Sequence, residues 1–157
     1  MKKTFIAVII LIATCTIGMA QPRAIGGRVG WGISPSYQHA FGESNMLQVD
    51  LDFFGFYWGI QAVATYNWIF PINSWSGAGS WNWYAGVGGG LGLGWLSGFF
   101  VGAAGMIGVE YNFNFPLQLS LDWRPLIGPW FGDGGGAGFY LGGLYTSAVA
   151  VGARYRF

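Results

Sequence analysis

Eight charged residues lie at alternate positions within short apolar segments, and their spacing suggests chemistry. Asp50 and Asp52 are two residues apart, and Asp122 and Arg124 repeat that interval. Side chains two residues apart point to the same face of a β-strand, so each pair predicts a polar face. Asp50 and Asp52 could hold a hard cation, and the charges together could line a solute path or pair with one another; we favour pairing. The set is Arg28, Asp50, Asp52, Glu110, Asp122, Arg124, Arg154 and Arg156.

His39 is the only histidine, and the neighbouring serines and Glu43 raise the possibility of a lipid-modifying hydrolase or acyltransferase. Nucleophilic catalysis requires a nucleophile, a base and an orienting group together. His39 shares a strand face with Tyr37 and Phe41, however, and this placement favours an interfacial side chain. We therefore predict no catalytic site and no enzyme activity.

Neither a metal nor a nucleotide site is indicated. One histidine without a nearby cysteine gives no zinc constellation. The glycine clusters at 86–94 and 132–138 are not followed by the Lys-Ser/Thr of a phosphate-binding loop. We predict that the protein uses no cofactor.

The composition excludes several classes of protein. The chain has 157 residues, 53% hydrophobic, 19% aromatic and only 8% charged, whereas soluble domains carry about 25% charged residues. The many aromatic residues argue against disorder. The net charge of +1 and the lack of a basic patch argue against nucleic acid as a partner. The length suggests one domain.

Residues 1–20 have the three-part pattern of a secretory signal peptide. Lys2 and Lys3 precede an apolar run from 5 to 12, and Gly18-Met19-Ala20 supplies small residues for cleavage. The run is too short for a membrane-spanning helix. Cleavage after Ala20 would leave residues 21–157, which contain no cysteine and therefore no disulfide.

Apolar residues recur with a period of two. Leu47, Val49 and Leu51 alternate with polar residues, and the same pattern returns in later segments. This alternation predicts β-strands with one apolar and one polar face. The apolar faces are rich in aromatic residues, and the polar faces hold four arginines against four acids. Together with the export signal, this pattern favours apolar faces toward lipid and polar faces toward a barrel interior.

We predict an all-β protein, an eight-stranded antiparallel up-and-down transmembrane β-barrel. Membrane strands require closure, because no edge can stay unpaired in lipid. An even strand number puts both termini on the periplasmic side, and the turns at Pro71 and Pro116 should lie there too. We expect an extracellular, mobile loop at 126–143, from its glycine content. A helical membrane protein, the main rival, leaves the period-two segments unexplained. The predicted strands are 23–32, 33–41, 46–54, 57–68, 80–91, 99–113, 117–125 and 145–157.

Five segments of the chain carry a family resemblance. They are PLQLSLDWRP at 116–125, GVEYNF at 108–113, WYAGVG at 83–88, GARYRF at 152–157 and AIGGR at 24–28. These segments resemble the small outer-membrane β-barrel proteins of Bacteroides-type bacteria, and the likeness covers nearly all of residues 21–157. It implies an eight-stranded barrel in the outer membrane without indicating an activity. Tyr155 and the terminal Phe157 resemble the signal that the barrel-assembly machinery reads.

From these features we expect a non-enzymatic structural or interaction module of the bacterial outer membrane. The expected partners are outer-membrane lipid, the barrel-assembly machinery during insertion, and a ligand or protein at the extracellular loops. A narrow pore for ions or small solutes is the first alternative, and a lipid-modifying barrel enzyme centred on His39 is the second.

Overall fold

The computed structural model describes residues 23–53, 59–75, 77–94, 98–132, 135–142 and 148–157, and the predicted signal peptide at 1–20 lies outside them. Within these ranges no helix is long and apolar enough to cross a membrane. The strands are β1 (Arg23–Val29), β2 (Ile33–Phe41), β3 (Asn45–Phe53), β4 (Ile60–Pro71), β5 (Gly79–Gly94), β6 (Gly98–Phe113), β7 (Leu117–Trp123), β8 (Leu126–Phe131), β9 (Ala137–Gly142) and β10 (Val149–Arg156).

Eight of these strands close into a ring, so the predicted eight-stranded antiparallel barrel is confirmed. Strands β1 to β7 pair in chain order, and β10 pairs with both β7 and β1. When paired residues are followed from strand to strand starting at Val29, one direction around the ring reaches β5 at Leu93 and the other reaches it at Trp83. These two positions are ten residues apart. This stagger is the shear number of the barrel, and it requires strands tilted from the barrel axis, by about 35–45° in typical barrels.

The predicted loop at 126–143 is wrong in part, because β8 and β9 form a hairpin there. Strand β8 continues the register of β7 along β6, since Ile107 faces Trp123 and Ala104 faces Leu126. Pro125 separates the two strands because proline has no N–H to donate. Strand β9 then pairs with β8. The glycines of this segment suggested mobility, but they are compatible with a strand pair that extends the barrel wall.

The barrel has two distinct ends. One end, which we name the proline end, holds the turns at 42–44 and 114–116, the end of β4 and the start of β5, together with residues 23 and 157. The opposite end holds the turn at 30–32 and the β8–β9 hairpin. Pro71 and Pro116 therefore lie at the same end as residues 23 and 157, as predicted from the sequence.

Glycine is required where β5 approaches β4 most closely. A Cβ atom at Gly88 would collide with the carbonyl oxygen of Ala64, and one at Gly86 would collide with that of Tyr66. Any larger residue at either position would push the two strands apart. Gly86 and Gly88, two residues apart on one face of β5, therefore permit close packing of the barrel wall.

The two faces of the wall are sorted as the alternation predicts. Along β10, Val149, Val151 and Tyr155 are exposed, whereas Arg154 is only 1% exposed. Across the described strands, the buried side chains are predominantly polar, and most long apolar side chains point outward. The exceptions are Met46, Phe100, Met106 and Leu126, which are buried in two small apolar clusters. The charged interior is thus enclosed by an apolar exterior.

Candidate functional site: the buried charges of the barrel interior

Five of the predicted charged residues meet inside the barrel, and we name them the ion-pair cluster. Arg28 extends from β1, and Arg124 from the two-residue link between β7 and β8. All five are buried, with Arg28 2% and Asp50 1% exposed. They converge because four of them lie on the inward phase of their strands, and Arg124 continues the inward phase of β7 past Asp122. The members are Arg28, Asp50, Asp52, Asp122 and Arg124.

Arg28 connects strands on both sides of its own. Its Nη2 and Nε atoms donate to the two carboxylate oxygens of Asp122 on β7, with Nε to Oδ2 at 3.3 Å. Its Nη1 donates to Asp50 Oδ2 on β3 at 3.4 Å. The bidentate contact with Asp122 is the geometry in which guanidinium–carboxylate pairs are strongest.

Arg124 spans the full width of the interior. Its Nη1 donates to Asp50 Oδ2 at 2.5 Å, and its Nη2 donates to Asp52. Strand β7, which leads into Arg124, is four strands from β3 in the ring of eight, so the two strands lie on opposite sides of the barrel. These two ion pairs accordingly cross the barrel interior from one wall to the other.

Neutral side chains complete the coordination of the cluster. Gln48 Nε2 donates to Asp50 Oδ2 at 2.8 Å, and Gln61 Nε2 donates to Asp52 Oδ2 at 2.5 Å. The hydroxyl of Tyr84 donates to Asp122 Oδ2 at 3.1 Å. Buried carboxylates need such additional donors because a single ion pair seldom offsets the loss of hydration.

Glu110 is held by amides instead of arginine. Its Oε1 accepts hydrogen bonds from Asn82 at 2.9 Å and Asn112 at 3.0 Å, and its Oε2 accepts one from Gln118 at 2.9 Å. We name this group the amide cage. It places a second buried carboxylate site in the interior, separate from the ion-pair cluster.

Arg154 is buried without a carboxylate partner among the described residues. Its Nε donates to the Ser36 hydroxyl at 2.9 Å, and its Nη1 donates to the Ser120 hydroxyl at 2.8 Å. A longer contact of 3.5 Å to Gln118 Oε1 connects it to the amide cage. Arg156 lies apart from these groups, because β10 ends there and its side chain is partly exposed at the proline end.

The interior carries a net negative charge in the described part of the chain, with three buried guanidinium groups against four buried carboxylates. Five buried polar atoms have no hydrogen-bond partner among the described residues, and ordered water commonly serves such atoms. They are Asp50 Oδ1, Asp52 Oδ1, Gln61 Oε1, Asn67 Oδ1 and Arg154 Nη2. No group of three or more His, Cys, Asp or Glu side chains suited to a metal occurs within the described ranges.

The neutral members of the site were not singled out from the sequence. Tyr84, Gln48 and Gln61 all lie on the polar phase of their strands, and that phase is the signal that could have identified them. Their individual partners depend on the shear of the barrel, which no single strand reveals. Tyr84 is fully buried, in keeping with its place on that polar phase.

His39 and the nearby serines do not come together. His39 is partly buried between two aromatic rings, with ring centroids 4.9 Å from Phe41 and 6.4 Å from Tyr37. Its Nδ1 lies 3.4 Å from the Tyr37 hydroxyl. Ser36 and Ser34 are buried on the opposite face of β2. The geometry therefore supplies His39 with aromatic neighbours and places the two serines on the interior side.

Comparisons of the chain with protein-family models, with curated proteins and with solved structures find no match.

Proposed function

We propose that this chain is a small integral protein of the bacterial outer membrane and acts there as a non-enzymatic structural or interaction module. The observation that carries the proposal is the sorting of side chains, with apolar residues outside a closed barrel and ionic residues inside. A water-soluble barrel requires the opposite arrangement, with apolar side chains inside and polar side chains outside, because exposure of apolar surface to water is unfavourable. Exclusion of the charges from the outer face fits a hydrocarbon surrounding.

The middle of the outer wall supports this setting. Many of its side chains are aliphatic, uncharged and between 39% and 60% exposed, because they point away from the barrel interior. Contiguous apolar patches of this extent are rare on soluble monomers and mark contact with a membrane or a partner. The residues are Val49, Leu51, Val87, Leu91, Val101, Ile107, Leu119, Leu121 and Val151.

Aromatic side chains concentrate at the proline end and support its placement at a membrane interface. Trp81 and Tyr111 have ring centroids 4.7 Å apart, and Tyr111 and Phe113 are 4.6 Å apart. Phe113 continues the row to Phe115 at 4.8 Å. Girdles of aromatic residues flank the apolar band of membrane barrels. With both described termini at this end, we assign the proline end to the periplasmic side.

The ion pairs across the interior favour a structural module over a pore. An eight-stranded barrel is only wide enough for its own side chains, and the pairs from Arg124 to Asp50 and Asp52 cross from one wall to the other. A solute would have to displace them. The unpartnered oxygen atoms of Gln61 and Asn67 are compatible with a few trapped waters.

Export and insertion are part of the same proposal. The signal-peptide pattern at 1–20 supports secretion, and the resemblance to small outer-membrane barrels of Bacteroides-type bacteria supports the destination. Tyr155 and Phe157 follow the outward phase at the end of β10, with ring centroids 6.4 Å apart. They are the residues that we propose the barrel-assembly machinery recognises.

Fractionation of a bacterium that produces the chain tests the location. We expect the full-length protein in the outer-membrane fraction, resistant to alkaline carbonate extraction. We expect a chain that lacks residues 1–20 and starts with a new initiator methionine to be absent from the cell envelope. Release of the full-length protein by carbonate would contradict the proposal.

Planar-bilayer recording tests whether the barrel interior is closed to ions. We expect no stable unit conductance from the purified protein, and we expect conductance to appear when Arg124→Ala removes the pairs that cross the interior. Stable unit steps from the unaltered protein, changed in the Asp50→Asn variant, would favour the narrow pore instead.

The enzyme alternative is tested by lipid analysis. We expect the phospholipid and lipid A profiles of a gene deletion and of a His39→Ala strain to match those of the parent. A lipid species lost in both strains would contradict a non-enzymatic role.

A further inference from the structure

An open groove lies at the proline end of the barrel, where β10 ends beside the turn between β6 and β7. Its volume is about 390 Å³. The backbone N–H of Arg156 donates to the carbonyl of Pro116 at 3.2 Å, and this bond holds the end of β10 against the turn. The lining residues are Phe113, Asn114, Phe115, Pro116, Arg156 and Phe157.

Arg156 differs from the three buried arginines. Arg28 and Arg124 are paired with carboxylates, and Arg154 is held by serine hydroxyls. Within the described ranges, the Arg156 side chain forms no ion pair and no side-chain hydrogen bond, and it is partly exposed. A guanidinium in this position is available to an anion outside the protein.

The walls of the groove are aromatic. Phe115 and Phe157 are exposed, and Phe113 packs against Phe115 with ring centroids 4.8 Å apart. Phenyl faces attract ammonium groups through the ring quadrupole, whereas a guanidinium binds phosphate through charge-assisted hydrogen bonds. Basic pockets beside membrane-spanning elements are suited to lipid headgroups for this reason.

We propose that this groove binds the headgroup of a zwitterionic phospholipid, with the phosphate on Arg156 and the ammonium against the exposed phenyl rings. The proposal rests on the proposed membrane setting and adds a lipid class and a site to it. Phe113 continues the outward aromatic row, so the lipid chains would run from the groove along the outer wall.

Binding is measured on delipidated protein in a non-ionic detergent. The probe is dihexanoylphosphatidylethanolamine, and its binding is followed by the NMR resonances of the Arg156 Nε–Hε group and the Phe157 amide. Dihexanoylglycerol, which lacks the headgroup, and inorganic phosphate, which lacks the lipid, are the comparison ligands. We expect each of them to bind at least ten times more weakly than the phospholipid.

Two variants of Arg156 and one control variant test whether the Arg156 side chain binds the headgroup. We expect Arg156→Gln to weaken phospholipid binding at least tenfold, in keeping with the loss of charge-assisted hydrogen bonds, and Arg156→Lys to retain most of it. Glu43→Gln changes one charge in another turn of the same end, outside the groove, and should leave binding unchanged. Circular dichroism and heat-dependent electrophoretic mobility establish that each variant is folded.

Equal affinity of the unaltered protein and Arg156→Gln would overturn the proposal. Binding of dihexanoylglycerol as tight as that of the phospholipid would also overturn it, and tight inorganic phosphate binding would show a free-anion site instead. Because the measurement uses detergent micelles, it is independent of membrane location, which the carbonate extraction tests separately.

Discussion

Arg28→Met removes the guanidinium that joins three strands inside the barrel. Methionine retains an unbranched apolar chain, so the change deletes charge and hydrogen bonds with little change in packing. It leaves Asp122 without its bidentate partner and removes one of the two arginines on Asp50. Removing one partner of a buried ion pair costs about 3–5 kcal/mol of stability, because the other charge remains buried.

Arg156→Met provides the matched control. It is the same chemical change on a neighbouring strand, but Arg156 is partly exposed and, among the described residues, has no ion pair. Surface substitutions of this kind change stability by about 0.5 kcal/mol or less. The difference between the two variants therefore isolates the effect of the buried network.

The assay is urea unfolding of the barrel in non-ionic detergent micelles without phospholipid, in which Arg156 has no lipid headgroup to bind, followed by tryptophan fluorescence. A double-mutant cycle with Asp122→Asn then measures the coupling between the two residues, which we expect to be about 2 kcal/mol or more, as for other close charge pairs. Arg28→Met and Arg156→Met with equal free energies of unfolding would refute the reasoning. A coupling near zero would show that the Arg28–Asp122 contact does not stabilise the barrel.

Two further predictions compare positions on the wall. Val87 and Phe115 are 60% and 57% exposed, but Val87 lies halfway along β5 and Phe115 lies at the proline end. In vesicles, Val87→Arg should lower the free energy of unfolding by about 2–4 kcal/mol and Phe115→Arg by about 1 kcal/mol or less. Equal losses in urea unfolding would contradict the membrane placement. Gly88→Ala should destabilise the barrel by about 1–3 kcal/mol through overpacking against the β4 backbone. Gly105→Ala should cost much less, because a Cβ atom there would meet only Pro125 Cγ at 3.8 Å. Similar unfolding midpoints in urea would be evidence against the close approach of β5 to β4 at Gly88.

Most of the barrel could be predicted from the sequence because strict alternation identifies both the strand and its inward face. Leu47 to Phe53 is an example, and β3 spans Asn45–Phe53. The β8–β9 hairpin could not be predicted in this way. Its segments are short and interrupted by Pro125 and Pro129, and their pairing depends on β6, which is distant in the sequence.

The buried site was predictable as a set of residues but not as a network. Alternation places Arg28 and Asp122 inside, but their contact joins residues 94 positions apart through the stagger of the strands. Arg156 shows the limit of the phase argument, because it follows the inward phase of β10 and yet lies beyond the enclosed interior. Position along the barrel axis, as well as phase, decides whether a charge is buried.

The central claim, that the outer wall contacts hydrocarbon, is tested most directly by nitroxide labels on the barrel in vesicles. Residues 21–157 contain no cysteine, so single cysteines can be introduced at Leu51, Val87 and Leu121, with Phe115 as the reference at the proline end. We predict that collisions with oxygen are high and collisions with a water-soluble nickel complex are low at the first three positions, with the reverse trend at Phe115. Nickel accessibility as high at Leu51 as at Phe115 would contradict the claim.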